Sequence, residues 1–122
     1  VGLANLVDGL FAIRHLVYES KEITLRQLRD ILKADFEGHE LLRQRILNRV
    51  PSYGNDDDAV DSLAVEWAQF LSATTASNTI GLHPYVPGFF CWIIHEAFGS
   101  QTGATPDGRK AGFPFADGAG AA

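Results

Sequence analysis

The side chains able to do chemistry are few and widely spaced. The chain has a single thiol, Cys91, and His95 follows four residues later. Arg109 and Lys110 stand together in a glycine-punctuated stretch, and Asp56, Asp57 and Asp58 form an acidic run. His95-Glu96 opens like the zinc-binding pattern HExxH, but Gly99 stands where the second histidine ligand belongs. The sequence holds no phosphate-cradling P-loop and no GxGxxG. None of Ser20, Ser52, Ser62, Ser72, Ser77 and Ser100 has the G-x-S-x-G context of a strained nucleophile. The aspartate run lacks the alternating oxygen ligands and closing glutamate of an EF-hand loop, and it lies where a helix N-terminus favours negative charge, so capping is expected rather than metal binding. Arg109 has two readings: a bidentate grip on a carboxylate, or a tie between its own loop and neighbouring carbonyls or a carboxylate, with the tie favoured.

The elements that must position these groups follow from spacing. Residues 88–98 combine Phe89, Phe90, Trp92, Ile93 and Ile94, which reads as a buried strand. Alternation along that strand sets Cys91, Ile93 and His95 on one face and Phe90, Trp92 and Ile94 on the other. The strand delivers the chain into a loop over 99–112. There Thr105-Pro106-Asp107-Gly108 makes a tight turn, because proline presets φ and glycine accepts a positive one. Four helices are expected before the strand, at about 3–18, 24–36, 39–48 and 56–74. Leu3, Leu6, Val7, Leu10, Ile13 and Val17 recur at helical spacing in the first, with Asn5, Asp8 and Arg14 between them. Thr24 is the natural N-cap of the second, and Asn55 or Asp56 that of the fourth. Residues 74–81 read as a polar connector. No second segment has strand character, so the strand is expected to pair outside this sequence.

Composition narrows the class. The chain has 122 residues, a net charge of −5 and scattered basic residues, which disfavours nucleic acid as a partner. One cysteine excludes an internal disulfide framework and fits a reducing compartment. No apolar run reaches membrane-spanning length and no signal peptide is visible, so a cytoplasmic protein without membrane contact is expected. Methionine is absent and the last residues are ADGAGAA, which reads as trimmed ends or an excerpt.

Three runs carry a resemblance: GLANLVDGLFAIRHLV, PSYGNDDDAVDSLA and TGATPDGRKAG. Together they resemble the glycyl radical enzymes, the family of pyruvate formate-lyase and the glycerol or diol dehydratases. The resemblance implies an α/β parent, a ten-stranded barrel wrapped in helices. Residues 1–122 would then be a partial domain: four helices, one barrel strand over 88–98 and a signature loop over 99–112, with Thr105, Pro106, Asp107, Gly108 and Arg109 structural. It implies an anaerobic enzyme that cleaves C–C, C–O, C–N or C–S bonds by thiyl radical chemistry, leaning toward the dehydratase branch. Cys91, Ile93 and His95 would line the substrate pocket as wall. Cys91 lies in Phe-Phe-Cys-Trp, not in the family's Cys-Val-Glu loop, and the Arg-Val-Ser-Gly-Tyr type radical motif does not occur. No catalytic residue and no metal ligand is therefore assigned, and the chain alone is expected to be inactive. The parent would carry a glycyl radical installed by an S-adenosylmethionine iron–sulfur activating enzyme, act on a small molecule, and form a homodimer. The alternative is a non-catalytic helical remnant or split-gene subunit that binds a partner chain.

Overall fold

Helix α1, Leu3–Ile13, is apolar nearly all round, and such a helix must be covered on several sides. The computed structural model, which describes residues 2–89 and 93–117, covers it with other helices and with a loop. Val7 and Phe11 pack on Val60 and Ala64 of α4, Asp58–Ala76. Ala12, with Leu16 beyond the helix, packs on Ile31 of α2, Leu25–Lys33, and on Ile46 of α3, Glu40–Arg49; Phe36 between those two helices completes this second cluster.

Local chemistry sets the boundaries. The single helix expected over 3–18 is α-helical only through Ile13; Arg14–Glu19 widens into a π-helical turn, with Ser20 Oγ donating to the His15 carbonyl at 2.8 Å. A capping box starts α2, Thr24 accepting from the Gln27 N–H while Gln27 accepts from the Thr24 N–H at 2.8 Å. Asp57, rather than Asn55 or Asp56, caps α4 by accepting from the Ala59 N–H at 3.0 Å, and Asp58 then occupies the first turn.

The C-terminal half departs from the sequence reading twice. Residues 74–81 are not a plain connector: α4 continues to Ala76, and Thr79–Ile80 (β1) pairs antiparallel with His83–Pro84 (β2) around Gly81 at φ 62°. The larger correction concerns the strand expected over 88–98. Residues 90–92 lie outside the described residues, but Ile93 and Ile94 form a turn and His95–Ser100 is a short helix, α5. Local contacts hold that helix. Ser100 Oγ and Thr102 Oγ1 donate to the Ala97 and Phe98 carbonyls at 2.8 and 2.7 Å, and the Phe115 N–H from the tail donates to the His95 carbonyl at 3.3 Å. Gly99 lies so close to the tail that an added Cβ would run into the Phe113 carbonyl oxygen. Ile93 and Ile94 thus form a turn despite their β preference. The expectation of outside strand partners loses its basis over 93–98.

Candidate functional site

The loop from Thr102 to Asp117 is tied to α1, to α3 and to the connection between α2 and α3, and the ties can be traced residue by residue. Its corner is a β-turn in which the Gly108 N–H donates to the Thr105 carbonyl at 3.1 Å, and the Thr105 N–H donates to the Arg109 carbonyl at 3.0 Å. Gly108 is favoured here chiefly by its backbone. Its φ is 91°, and a Cβ there would meet the Leu47 side chain at 2.9 Å. From α3, Arg43 Nε donates to the Gly108 carbonyl at 2.8 Å. From the α2–α3 connection, Asp35 accepts the Ala111 N–H at 2.7 Å.

Helix α1 makes the third tie. Asn5, Asp8, Gly9 and Ala12 recur at i, i+3, i+4 and i+7, and all four are buried. Asn5 works at both ends of the loop: its Nδ2 donates to Asp107 Oδ2 at 2.6 Å and its Oδ1 accepts the Ala116 N–H at 2.7 Å. Gly9 faces Pro106, whose Cδ would lie 3.6 Å from an added Cβ. The Asp107 carboxylate also accepts from Thr105 Oγ1. Asp8 accepts the Tyr53 N–H at 2.7 Å, and Asp61 of α4 accepts the next one, from Gly54, at 3.0 Å. The Tyr53-Gly54 turn therefore pins α1 to α4. Burial, with Asp107 and Asp61 nearby, raises the Asp8 carboxyl from its ordinary value to about 6, against the lowering effect of the Tyr53 N–H.

Arg109 is 7% exposed, and the loop's own acceptors occupy its guanidinium. It donates to the Gly103 carbonyl, to the Phe113 and Lys110 carbonyls at 2.6 and 3.1 Å, and from Nε to Thr105 Oγ1 at 3.2 Å. The guanidinium also lies over the Phe115 ring, 4.4 Å from its centroid. This arrangement organises a loop and leaves little of the guanidinium for a carboxylate ligand. Lys110 reaches Glu40 at 3.7 Å.

Of the three residues read as pocket wall, only Ile93 and His95 are among the described residues. Ile93 is 88% exposed, His95 is partly buried at the start of α5 with Nδ1 3.7 Å from Asp117 Oδ1, and Cys91 lies outside the described residues. The alternation that put them on one face requires a strand, and none runs through 93–95. Among the described residues, no three His, Cys, Asp or Glu side chains converge as a metal site, and no helix is long and apolar enough to cross a membrane. Sequence reasoning passed over Asn5 and Asp8 as the polar side of α1. The signal was there: two polar residues, a glycine and an alanine on one stripe of a helix with no other solvated face.

A family model described as pyruvate formate lyase-like matches residues 1–99. A probable dehydratase of Escherichia coli, YbiW, is 43% identical over 98% of this chain and 16% of its own length. Isethionate sulfite-lyase of Bilophila wadsworthia is 40% identical over 97% of this chain and 14% of its own. Among solved structures, the glycerol-bound B12-independent glycerol dehydratase of Clostridium butyricum superposes with a TM-score of 0.88 at 39% identity, covering 95% of this chain and 15% of the dehydratase. A glycyl radical enzyme from Archaeoglobus fulgidus gives 0.84 at 27% identity, over 96% of this chain and 15% of that one. The chain thus spans about a sixth of the length of the curated relatives it matches. Helices that anchor a TGATPDGRKAG loop, a family profile over most of the residues and close superposition on these structures agree: the chain belongs to the pyruvate formate-lyase-like family of glycyl radical enzymes.

Proposed function

We propose that this chain is the loop-bearing segment of a glycyl radical dehydratase or lyase, an anaerobic and cytoplasmic enzyme that cleaves C–O or C–S bonds by thiyl radical chemistry. The observation that carries the reading is the superposition, at 39% identity, on a glycerol dehydratase across almost the whole chain. The relatives' names span dehydration and sulfite release, so the shared chemistry is loss of a leaving group from a small hydroxylated molecule. In the parent, a ten-stranded barrel, the segment supplies wrapping helices and the rigid loop.

Neither the Cys-Val-Glu loop nor the radical glycine motif is in this sequence, so no residue here fits the role of radical carrier and no step of the reaction is assigned to one. The radical would be installed by an S-adenosylmethionine iron–sulfur activating enzyme in the remainder of the parent, which is expected to be a homodimer. Large apolar side chains left in solvent, among them Val65, Phe70, Leu82 and Val86, support a covering by that remainder.

The test is anaerobic turnover of glycerol, 1,2-propanediol and isethionate. A full-length protein containing this segment should release water or sulfite only after activation with S-adenosylmethionine, and the 122-residue chain should release neither. Turnover by the short chain, or turnover by the long one in air without activation, would overturn the reading.

A further inference from the structure

Aspartate is followed by glycine at Asp8-Gly9, Asp107-Gly108 and Asp117-Gly118. Such a bond carries a chemistry of its own. With no Cβ on the second residue, its backbone nitrogen is unshielded and can attack the aspartate's carboxyl carbon, which it meets by closing a small ring. The nitrogen gives up its proton, the N–Cγ bond forms, and a carboxyl oxygen departs as water, leaving a succinimide. Water then reopens the ring. Breaking the N–Cγ bond restores aspartate; breaking the bond from nitrogen to the aspartate's own carbonyl carbon leaves isoaspartate, whose main chain runs through the side chain and is longer by one methylene. One water leaves and one returns, so no co-reactant is needed.

The fold secures the first two of these bonds by different means. Gly9 lies inside α1, where the helical ladder fixes its peptide group. Asp107-Gly108 sits in a turn and depends on particular partners. The Gly108 N–H is spent on the Thr105 carbonyl at 3.1 Å, and Arg43 Nε holds the Gly108 carbonyl at 2.8 Å. The carboxylate is held on both oxygens: Oδ2 accepts from Asn5 Nδ2 of α1 at 2.6 Å, and Oδ1 accepts from Thr105 Oγ1 and from the Arg109 N–H at 3.4 Å. Attack requires the Gly108 nitrogen to leave Thr105 and the carboxyl to give up these donors and turn its carbon toward that nitrogen. Pulling the turn away from α1 removes the strongest of those restraints.

We propose that Asp107-Gly108 is a covalent modification site, a succinimide and isoaspartate site that Asn5 and Thr105 hold shut while the loop is docked on α1 and that opens when the loop undocks. The product cannot reverse the undocking. A main chain one methylene longer breaks the spacing that lets Thr105 bond both Gly108 and Arg109, and the free carboxylate no longer stands where Asn5 grips it. The modification therefore records loss of the docked loop in a covalent bond. It needs neither a radical nor a substrate, so it stands or falls separately from the proposed function.

The test ages the unactivated full-length protein containing this segment at neutral pH, folded and in urea, and measures isoaspartate at Asp107 and at Asp8 by proteolysis and mass spectrometry with electron-transfer fragmentation. In urea the two sites should isomerise at similar rates. In the folded protein Asp107 should slow by about tenfold or more, and Asn5→Ala should restore about tenfold, the change in open-turn population expected from one lost hydrogen bond to a carboxylate, with Asp8 unchanged. A folded wild-type rate at Asp107 equal to that in urea, or a folded Asn5→Ala that isomerises no faster than wild type, would overturn the proposal. If Asp8 rises together with Asp107 in Asn5→Ala, α1 itself has opened, and Thr105→Val, which leaves α1 untouched, decides by the same comparison with wild type.

Discussion

Replacing Arg109 with lysine keeps the charge and removes the geometry. The guanidinium serves four acceptors from Gly103, Thr105, Lys110 and Phe113 and covers the Phe115 ring. An ammonium on a flexible stem can reach one or two of those acceptors and cannot stack flat on the ring. Losing two charge-assisted hydrogen bonds costs about 3 kcal/mol, and the lost ring contact adds about 0.5 kcal/mol. Some of the freed carbonyls regain water, so the net loss should be about 2–3 kcal/mol, or about 10 °C in Tm for a domain of this size. Thermal unfolding monitored by circular dichroism gives the Tm. Hydrogen exchange at the Thr105 and Gly108 amides reports the loop itself, and both should lose protection. A Tm within about 2 °C of wild type, with those amides still protected, would show that Arg109 is not what holds the loop and would return it to the role of an anion grip.

Two glycines should behave oppositely. Gly99→Ala drives a Cβ into the Phe113 carbonyl and should cost about 2 kcal/mol or more, whereas Gly9→Ala meets Pro106 at ordinary contact distance and should be neutral or gain up to about 1 kcal/mol in urea denaturation. Equal effects at the two sites would contradict the packing described. Asp8 is a carboxyl whose folded value lies above its unfolded one, so the native state holds the extra proton and stability falls as pH rises from about 4 to about 6. Asp8→Asn should therefore flatten that slope and be the more stable protein at pH 8 by about 1 kcal/mol, with little difference at pH 4. A constant difference between the two proteins at both pH values would refute this. Asn5→Ala removes both α1 tethers of the loop and should raise exchange at the Ala116 amide while leaving the Thr24 cap of α2 protected; unchanged exchange at Ala116 would show that the tether is dispensable.

The helices are legible because their signals are local. Thr24 with Gln27, the aspartates before Ala59, and apolar residues three and four apart each act within one or two turns. The Thr105–Gly108 corner is legible for the same reason, since Pro106 and Gly108 carry their backbone preferences with them. Residues 93–98 are not, because the short helix that begins at His95 lies against a tail 14 to 20 residues later, through Gly99 beside Phe113 and the Phe115 N–H on the His95 carbonyl. The strand alternation used to group Ile93 with His95 does not run through those residues. Asn5 and Asp8 are hidden by a different cause: their partners Asp107, Ala116 and Tyr53 lie 45 to 111 positions away, and a polar residue on an apolar helix shows its purpose only once those partners are in place.

The proposed function implies a parent enzyme whose working state is a protein radical, and that state has a direct signature. A full-length protein containing this segment, treated without oxygen with its activating enzyme, S-adenosylmethionine and a reductant, should give the electron paramagnetic resonance doublet of a glycyl radical, and the 122-residue chain under the same treatment should stay silent. A doublet from the short chain, or silence from the full-length protein while the activating enzyme demonstrably cleaves S-adenosylmethionine, would contradict the account.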